Sequence, residues 1–302
     1  MKIALTGPAG FIGSHVLTEL QEHGHEVTGL VRDDAQAELV AARGATPVAV
    51  DLYDRSAVVS LLGDVDGAIH TASPGDATSA DLDAAVADAA IEAFAGSGKP
   101  YLQISGLWIY GSNASISEHS PIAAPALVAW REPIEQRVLG ATDIRGVVIV
   151  SGVAYGDGGG GVPGVLLGSP GDEAGNLIML GTGQQHWGTV HVADLADFFR
   201  RVLENDAARG RYVIGNGLNE SVAELTEAAA VAVGAPGAVP GSDDEARARL
   251  GDYFAEVLLL DQGTDAAKAR ADLDWRPSHP GLADEFRHGS YTPADVQASR
   301  QA

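Results

Sequence analysis

Lys2-Ile3-Ala4-Leu5-Thr6-Gly7-Pro8-Ala9-Gly10-Phe11-Ile12-Gly13 opens the chain and decides how the rest is read. A short apolar strand, Lys2 to Thr6, runs into three glycines spaced three and three, and a helix pattern begins at once. Phe11 to His23 carries Ile12, Val16 and Leu20 on one face and is stopped by Gly24. In this context the glycines supply a tight turn and close backbone approach, and the helix start supplies free N–H groups. Such a corner suits a pyrophosphate.

Working outward, short apolar runs alternate with amphipathic ones. Strands are expected at Glu26–Val31, Thr46–Val50, Ala68–Thr71, Tyr101–Ser105 and Gly146–Ser151. Helices are expected at Ala35–Arg43, Arg55–Leu62, Ala80–Ala95 and Leu127–Leu139. Strands joined by crossover helices read as an α/β, Rossmann-like, doubly wound parallel sheet. Regularity drops after Tyr155, where Gly156–Gly161 holds five glycines in six residues and reads as a lid or a plain surface loop. Further elements are expected at Val192–Leu203 and Val222–Val233 as helices, at Arg211–Ile214 as a strand, and at Asp243–Leu250 as an acidic helix start. The expected domains are a dinucleotide-binding domain over 1–155 plus about 186–215, and a smaller C-terminal substrate domain over 156–185 and 216–302.

The chain has 302 residues, and its 19 Lys and Arg stand against 41 Asp and Glu, a net charge of −22 that disfavours nucleic acid and anionic membrane as partners. There is no cysteine, so disulfides and thiolate chemistry are excluded. No long apolar run reads as a membrane span, and no charged-then-apolar leader precedes the first strand, so a cytoplasmic location is the default expectation. The nine histidines include no pair suited to a zinc helix, and no metal is assigned.

The residue ending the second strand normally separates the two nicotinamide dinucleotides: a carboxylate bonds the ribose 2′-hydroxyl, an arginine the 2′-phosphate. Here Gly29-Leu30-Val31-Arg32 offers no acid before Arg32. Arg32 therefore reads as a phosphate clamp and the cofactor as NADP, with NAD as the alternative; the competing reading pairs Arg32 with Asp33 and Asp34. Asp51-Leu52 reads as a hold on the adenine edge, or Asp51 or Asp54 as a helix cap.

Six stretches resemble the extended, epimerase/dehydratase-like branch of the short-chain dehydrogenase/reductases. They are the Gly7/Gly10/Gly13 loop, Asp51-Leu52, Ile69-His70-Thr71-Ala72-Ser73, Ile104 to Gly111, His191 to Ala196, and Leu273 to Pro277. The resemblance implies a nicotinamide near Thr71, Ser105 and the backbone around Val153, with Ala72 and Ser73 also binding the cofactor, and a small-molecule carbonyl compound or alcohol as substrate. It also implies a homodimer as a common assembly.

Family members use a serine, a tyrosine and a lysine four residues after the tyrosine, because the alkoxide left by hydride addition needs a proton. The only lysines here are Lys2, Lys99 and Lys268, and none follows a tyrosine by four. Anchored on Glu135, the family pattern puts Arg131 at the lysine position and Leu127 at the tyrosine position, so the resemblance is to an atypical member. Arg131 can hold a ribose hydroxyl or phosphate, or pair with Glu132 or Glu135. Ser105 can polarise a substrate oxygen or cap its strand, and Tyr110 can donate a proton or serve packing. His119 and Tyr155 are weaker proton-transfer candidates, and local backbone bonding accounts for His70 and His191. Trp108 and Trp187 offer an apolar wall or core packing. The resulting expectation is an NADP(H)-dependent ketoreductase with a non-standard proton donor. The alternatives are a non-catalytic dinucleotide sensor or scaffold and a sugar-nucleotide epimerase or dehydratase.

Overall fold

The computed structural model describes residues 1–291. A central seven-stranded parallel sheet is flanked by helices. Its strands in chain order are β1 (Lys2–Thr6), β2 (Glu26–Val31), β3 (Thr46–Ala49), β4 (Gly67–His70), β5 (Pro100–Gly106), β6 (Arg145–Ser151) and β7 (Gly210–Ile214). In the sheet they run β7-β6-β5-β4-β1-β2-β3. The order reverses at β1, the kind of switch point where open α/β sheets bind ligands beyond the carboxyl ends of the strands. The register sets Thr6 opposite Leu30 on one side and opposite His70 on the other, so these residues end their strands side by side.

Five crossover helices precede β6: α1 (Phe11–Glu22), α2 (Asp34–Ala42), α3 (Arg55–Gly63), α4 (Ser79–Phe94) and α5 (Arg131–Gly140). The helix α6 (Val192–Glu204) leads to β7. α1 buries Val16, Leu17 and Leu20, the spacing that one face of a helix requires. The α5 boundary corrects the expected Leu127–Leu139. Residues 126–130 form turns, and the helix starts at Arg131 because Pro133 lacks an N–H and fits only in a first turn.

The chain divides into two compact units. The first comprises Met1–Ser105, Trp130–Val150 and Leu195–Tyr212; the second comprises Gly106–Ala129, Ser151–Asp194 and Val213 onward. Residues 106–129 thus group with the second unit, whereas the sequence reading had placed them in the first domain. The reason is strand pairing: Asn113–Ile116 pairs in parallel with Gln262–Thr264. Val153–Tyr155 likewise pairs with Thr189–His191. The core of the second unit gathers Tyr155, Leu166, Leu180, Trp187, Leu225 and Phe286. Its helices Val222–Val233 and Asp243–Leu250 start on Ser-x-x-Glu capping boxes, Ser221 with Glu224 and Ser242 with Glu245. No helix among the described residues is long and apolar enough to cross a membrane.

Candidate cofactor site

The turn after β1 is built for backbone. Gly7 has φ +69°, and a Cβ there would lie 2.8 Å from Ala72 Cα. A Cβ on Gly13 would lie 2.0 Å from the Gly7 carbonyl oxygen and 2.7 Å from Thr71 Oγ1. The Gly10 amide closes the turn on Gly7 O at 3.0 Å. Gly10 then caps α1 without a side chain, so the first N–H groups of α1 have no capping acceptor. Helix start, positive end of the helix dipole and bare glycine backbone together fit the diphosphate of a dinucleotide.

A cavity of about 620 Å³ lies over this turn. Its volume falls in the range of cofactor sites. Gly7, Gly10, Phe11, Ile12, Gly13, Arg32, Asp51, Leu52, Thr71, Ala72 and Ser73 all line it, so eleven of the residues singled out from sequence meet in one place. Gln36 and Tyr53, which the sequence reading had not selected, line it as well.

At the end of β2 the Arg32 side chain is 78% exposed, and its Nε donates to Asp33 Oδ2 at 3.1 Å. An exposed pair of this kind contributes little to stability. Asp33 is already engaged: it caps α2 by accepting from the Gln36 amide, and that bond, with the neighbouring Arg32, holds its carboxyl below the usual range. After β3, Asp54 is the cap of α3, whereas Asp51 accepts from the Tyr53 amide at 2.9 Å.

Ser105 and Arg131 do not line the cavity; they belong to a buried polar cluster around the ends of β4 and β5. Ser105 Oγ donates to Glu135 Oε1 at 2.6 Å, and the fully buried Glu135 accepts from Arg211 Nη2, also at 2.6 Å. The serine's proton is therefore committed to a carboxylate. Arg131 pairs with neither Glu132 nor Glu135. Its Nη1 lies 3.5 Å from both Asp83 Oδ2 and the Ile104 carbonyl, and its guanidinium stacks over the Trp130 ring. Burial pushes the Arg131 guanidinium below its usual value, with Asp83 and Glu135 opposing the shift.

His70 departs from expectation too. Its ring bonds to side chains, Nδ1 with Thr6 Oγ1 at 2.7 Å and Nε2 with Asp83 Oδ1 at 3.1 Å. Asp83, Gln103 and Arg211 were missed in the sequence. A usable signal existed for Asp83, which sits in an alanine-rich helix on the face that also buries Ala87 and Ala90.

The remaining candidates lie in the second unit. Tyr110 ends the turn Leu107–Tyr110 and is buried. Val153 is held by its amide, which donates to Gly188 O. Tyr155 donates to Pro280 O at 2.6 Å and accepts from Asn216, and burial raises its phenol well above the usual value. His119 is exposed. Trp108 packs edge-on to Phe254, and Trp187 donates to Leu258 O, so both serve the core. Among the described residues no cluster of three or more His, Asp or Glu is arranged to hold a metal ion.

An NAD(P)H-binding family matches residues 7–128, a span that begins at the first glycine of the turn. An uncharacterised protein of Schizosaccharomyces pombe is 28% identical over 300 residues, covering 96% of this chain and all of its own. The structure of Thermus thermophilus UDP-glucose 4-epimerase in complex with NAD aligns with a TM-score of 0.72 at 21% identity, covering 95% of this chain and 99% of that one. A human epimerase family protein with NADPH aligns with a TM-score of 0.72 at 20% identity, covering 95% and 98%. Residues 7–128 thus match an NAD(P)H-binding family, and the chain has a Rossmann-like fold shared with these solved epimerase structures.

Proposed function

We propose that the protein is an NADP(H)-dependent oxidoreductase that interconverts a small or polycyclic carbonyl compound and its alcohol, with a proton donor other than the usual tyrosine. The glycine turn under the 620 Å³ cavity carries this reading, because it offers uncapped helix amides where a diphosphate needs them. When bound, the nicotinamide supplies the redox chemistry. Gly10, Phe11, Ile12 and Gly13 would hold the diphosphate, Asp51 and Leu52 the adenine, and Thr71, Ala72 and Ser73 the opposite wall.

Arg32 supports NADP over NAD. Among the described residues only its Nε is engaged, leaving both terminal nitrogens for a 2′-phosphate, while the neighbouring Asp33 is occupied as a helix cap. Arg32→Ala is expected to weaken NADPH about tenfold or more and NADH less than about threefold. Equal weakening in a calorimetric titration would count against the clamp.

For the proton, Leu127 is chemically inert, and Ser105 and Tyr110 are the proposed catalytic pair. Arg131, standing where a lysine is usual, would hold a ribose hydroxyl, and Val153 would contact the nicotinamide by its backbone. The bond from Ser105 to Glu135 favours a second reading, a dinucleotide-binding sensor, since giving up a charge-assisted buried bond costs about 1.5–3 kcal/mol. Loss of NADPH absorbance with a panel of ketones and aldehydes separates the two. Turnover that survives both Ser105→Ala and Tyr110→Phe removes these residues from the mechanism, and binding of NADPH without turnover of any carbonyl selects the sensor.

A further inference from the structure

Thr6 ends β1 beside the glycine turn, and its hydroxyl is fully used. Thr6 Oγ1 accepts from the Thr71 amide at 3.2 Å and from the Ala72 amide at 3.3 Å. A hydroxyl has two lone pairs and one hydrogen, so its remaining contact, 2.7 Å to His70 Nδ1, is a donation. His70 Nδ1 is therefore an unprotonated acceptor. The other ring nitrogen leads to the same answer: Nε2 lies 3.1 Å from the Asp83 carboxylate, which can only accept. Two independent partners thus require a neutral imidazole with its proton on Nε2. His70 is 1% exposed and Asp83 4%, so both are shielded from bulk water.

The Thr71–Ala72 backbone held in this way is the surface against which Gly7 packs, Gly13 lies against Gly7 and the Thr71 hydroxyl, and Thr71 and Ala72 line the proposed dinucleotide cavity. Asp83 also lies within 3.5 Å of Gln103 Nε2 and Arg131 Nη1. We propose that His70 is a positioning residue for the dinucleotide site: locked as the Nε2–H tautomer, it fixes the Thr71–Ala72 wall through the Thr6 hydroxyl and joins it to Arg131 through Asp83. The positioning role rests on the dinucleotide reading above; the tautomer does not.

Two measurements test it. Nitrogen-15 NMR of histidine-labelled protein without dinucleotide is expected to show His70 with a protonated Nε2 and a bare Nδ1 at neutral pH. An Nδ1–H tautomer or a charged ring overturns the proposal. Calorimetry with NADPH on Thr6→Val, which keeps the shape and removes the hydroxyl, is expected to show affinity reduced about tenfold, with Thr6→Ser restoring it to within about twofold. Folded Thr6→Val that binds as the wild type, or Thr6→Ser that is as weak as Thr6→Val, overturns the positioning role. If the wild type binds neither NADPH nor NADH, the dinucleotide reading falls and takes that role with it, whereas the NMR result is unaffected.

Discussion

Two glycine-rich turns in this protein link a strand to a helix, and they end in opposite chemical states. Gly7–Gly13 joins β1 to α1, and Gly156–Gly161 joins Val153–Tyr155 to the short helix Gly161–Leu167. Both need glycine for steric reasons. Gly7 has φ +69°, and Gly156 has φ +116° with a Cβ that would lie 2.3 Å from His191 Nε2. What differs is where the amides point. In the first turn the Gly10 amide bonds Gly7 O and the Ser14 amide bonds Gly10 O, and the amides at the start of α1 have no capping side chain. In the second, the Gly156 amide donates to Tyr291 Oη at 2.8 Å and the Gly158 amide to Ser290 Oγ at 2.9 Å. Five glycines thus make a pinned loop, while three make a cradle. The number of glycines is a poor guide to anion binding, and the count of uncommitted N–H groups is a good one.

The largest expected effect breaks the first turn. Gly13→Ala puts a methyl group 2.0 Å from a carbonyl oxygen, so a loss of at least about 4 kcal/mol in urea denaturation is expected, with no measurable NADPH binding in any folded fraction. Gly156→Ala strains the second turn and crowds His191, at a cost of about 2–3 kcal/mol, while NADPH affinity stays at the wild-type value. A matching loss of affinity would show that the two turns do not act separately. Tyr291→Phe leaves the Gly156 amide without its acceptor and is expected to cost about 1–2 kcal/mol in the same assay.

The smallest effect is a pH dependence in the second turn's surroundings. His191 stacks on His279 with ring centroids 4.1 Å apart, packs edge-on to Tyr155, and accepts from the Ala193 amide through Nδ1. Burial, and then His279, lower its pKa, while Glu285, Asp194 and Asp157 oppose them. A histidine depressed in the folded state leaves the unfolded chain to bind the proton first. Its contribution to stability is complete above the ordinary imidazole range and is lost as pH falls through about 6.5 toward the folded value. The melting temperature should therefore fall on acidification over that window, and His191→Gln should flatten the slope; an unchanged slope would remove His191 as its source.

Much of the chain was legible where its signals are local. The strand, turn and helix at the N-terminus, the helices Val222–Val233 and Asp243–Leu250, and the eleven cavity residues all follow from hydrophobic period, glycine placement and short motifs. The misplaced start of α5 was also local, since Pro133 marks it. The buried polar pairs could not be read in this way. Glu135 and Arg211 are 76 positions apart, and Thr6 and His70 are 64 apart; each becomes a neighbour only through sheet order.

By itself, the sequence determined that a strand runs into an open glycine corner and that no lysine stands four residues beyond a tyrosine, both consequences of covalent order. Only the tertiary structure decided that Ser105 gives its proton to Glu135, that Arg131 leans on Asp83, and that His70 answers to Thr6. A buried donor must find an acceptor wherever packing brings one, and in a parallel sheet that partner comes from a distant strand or helix.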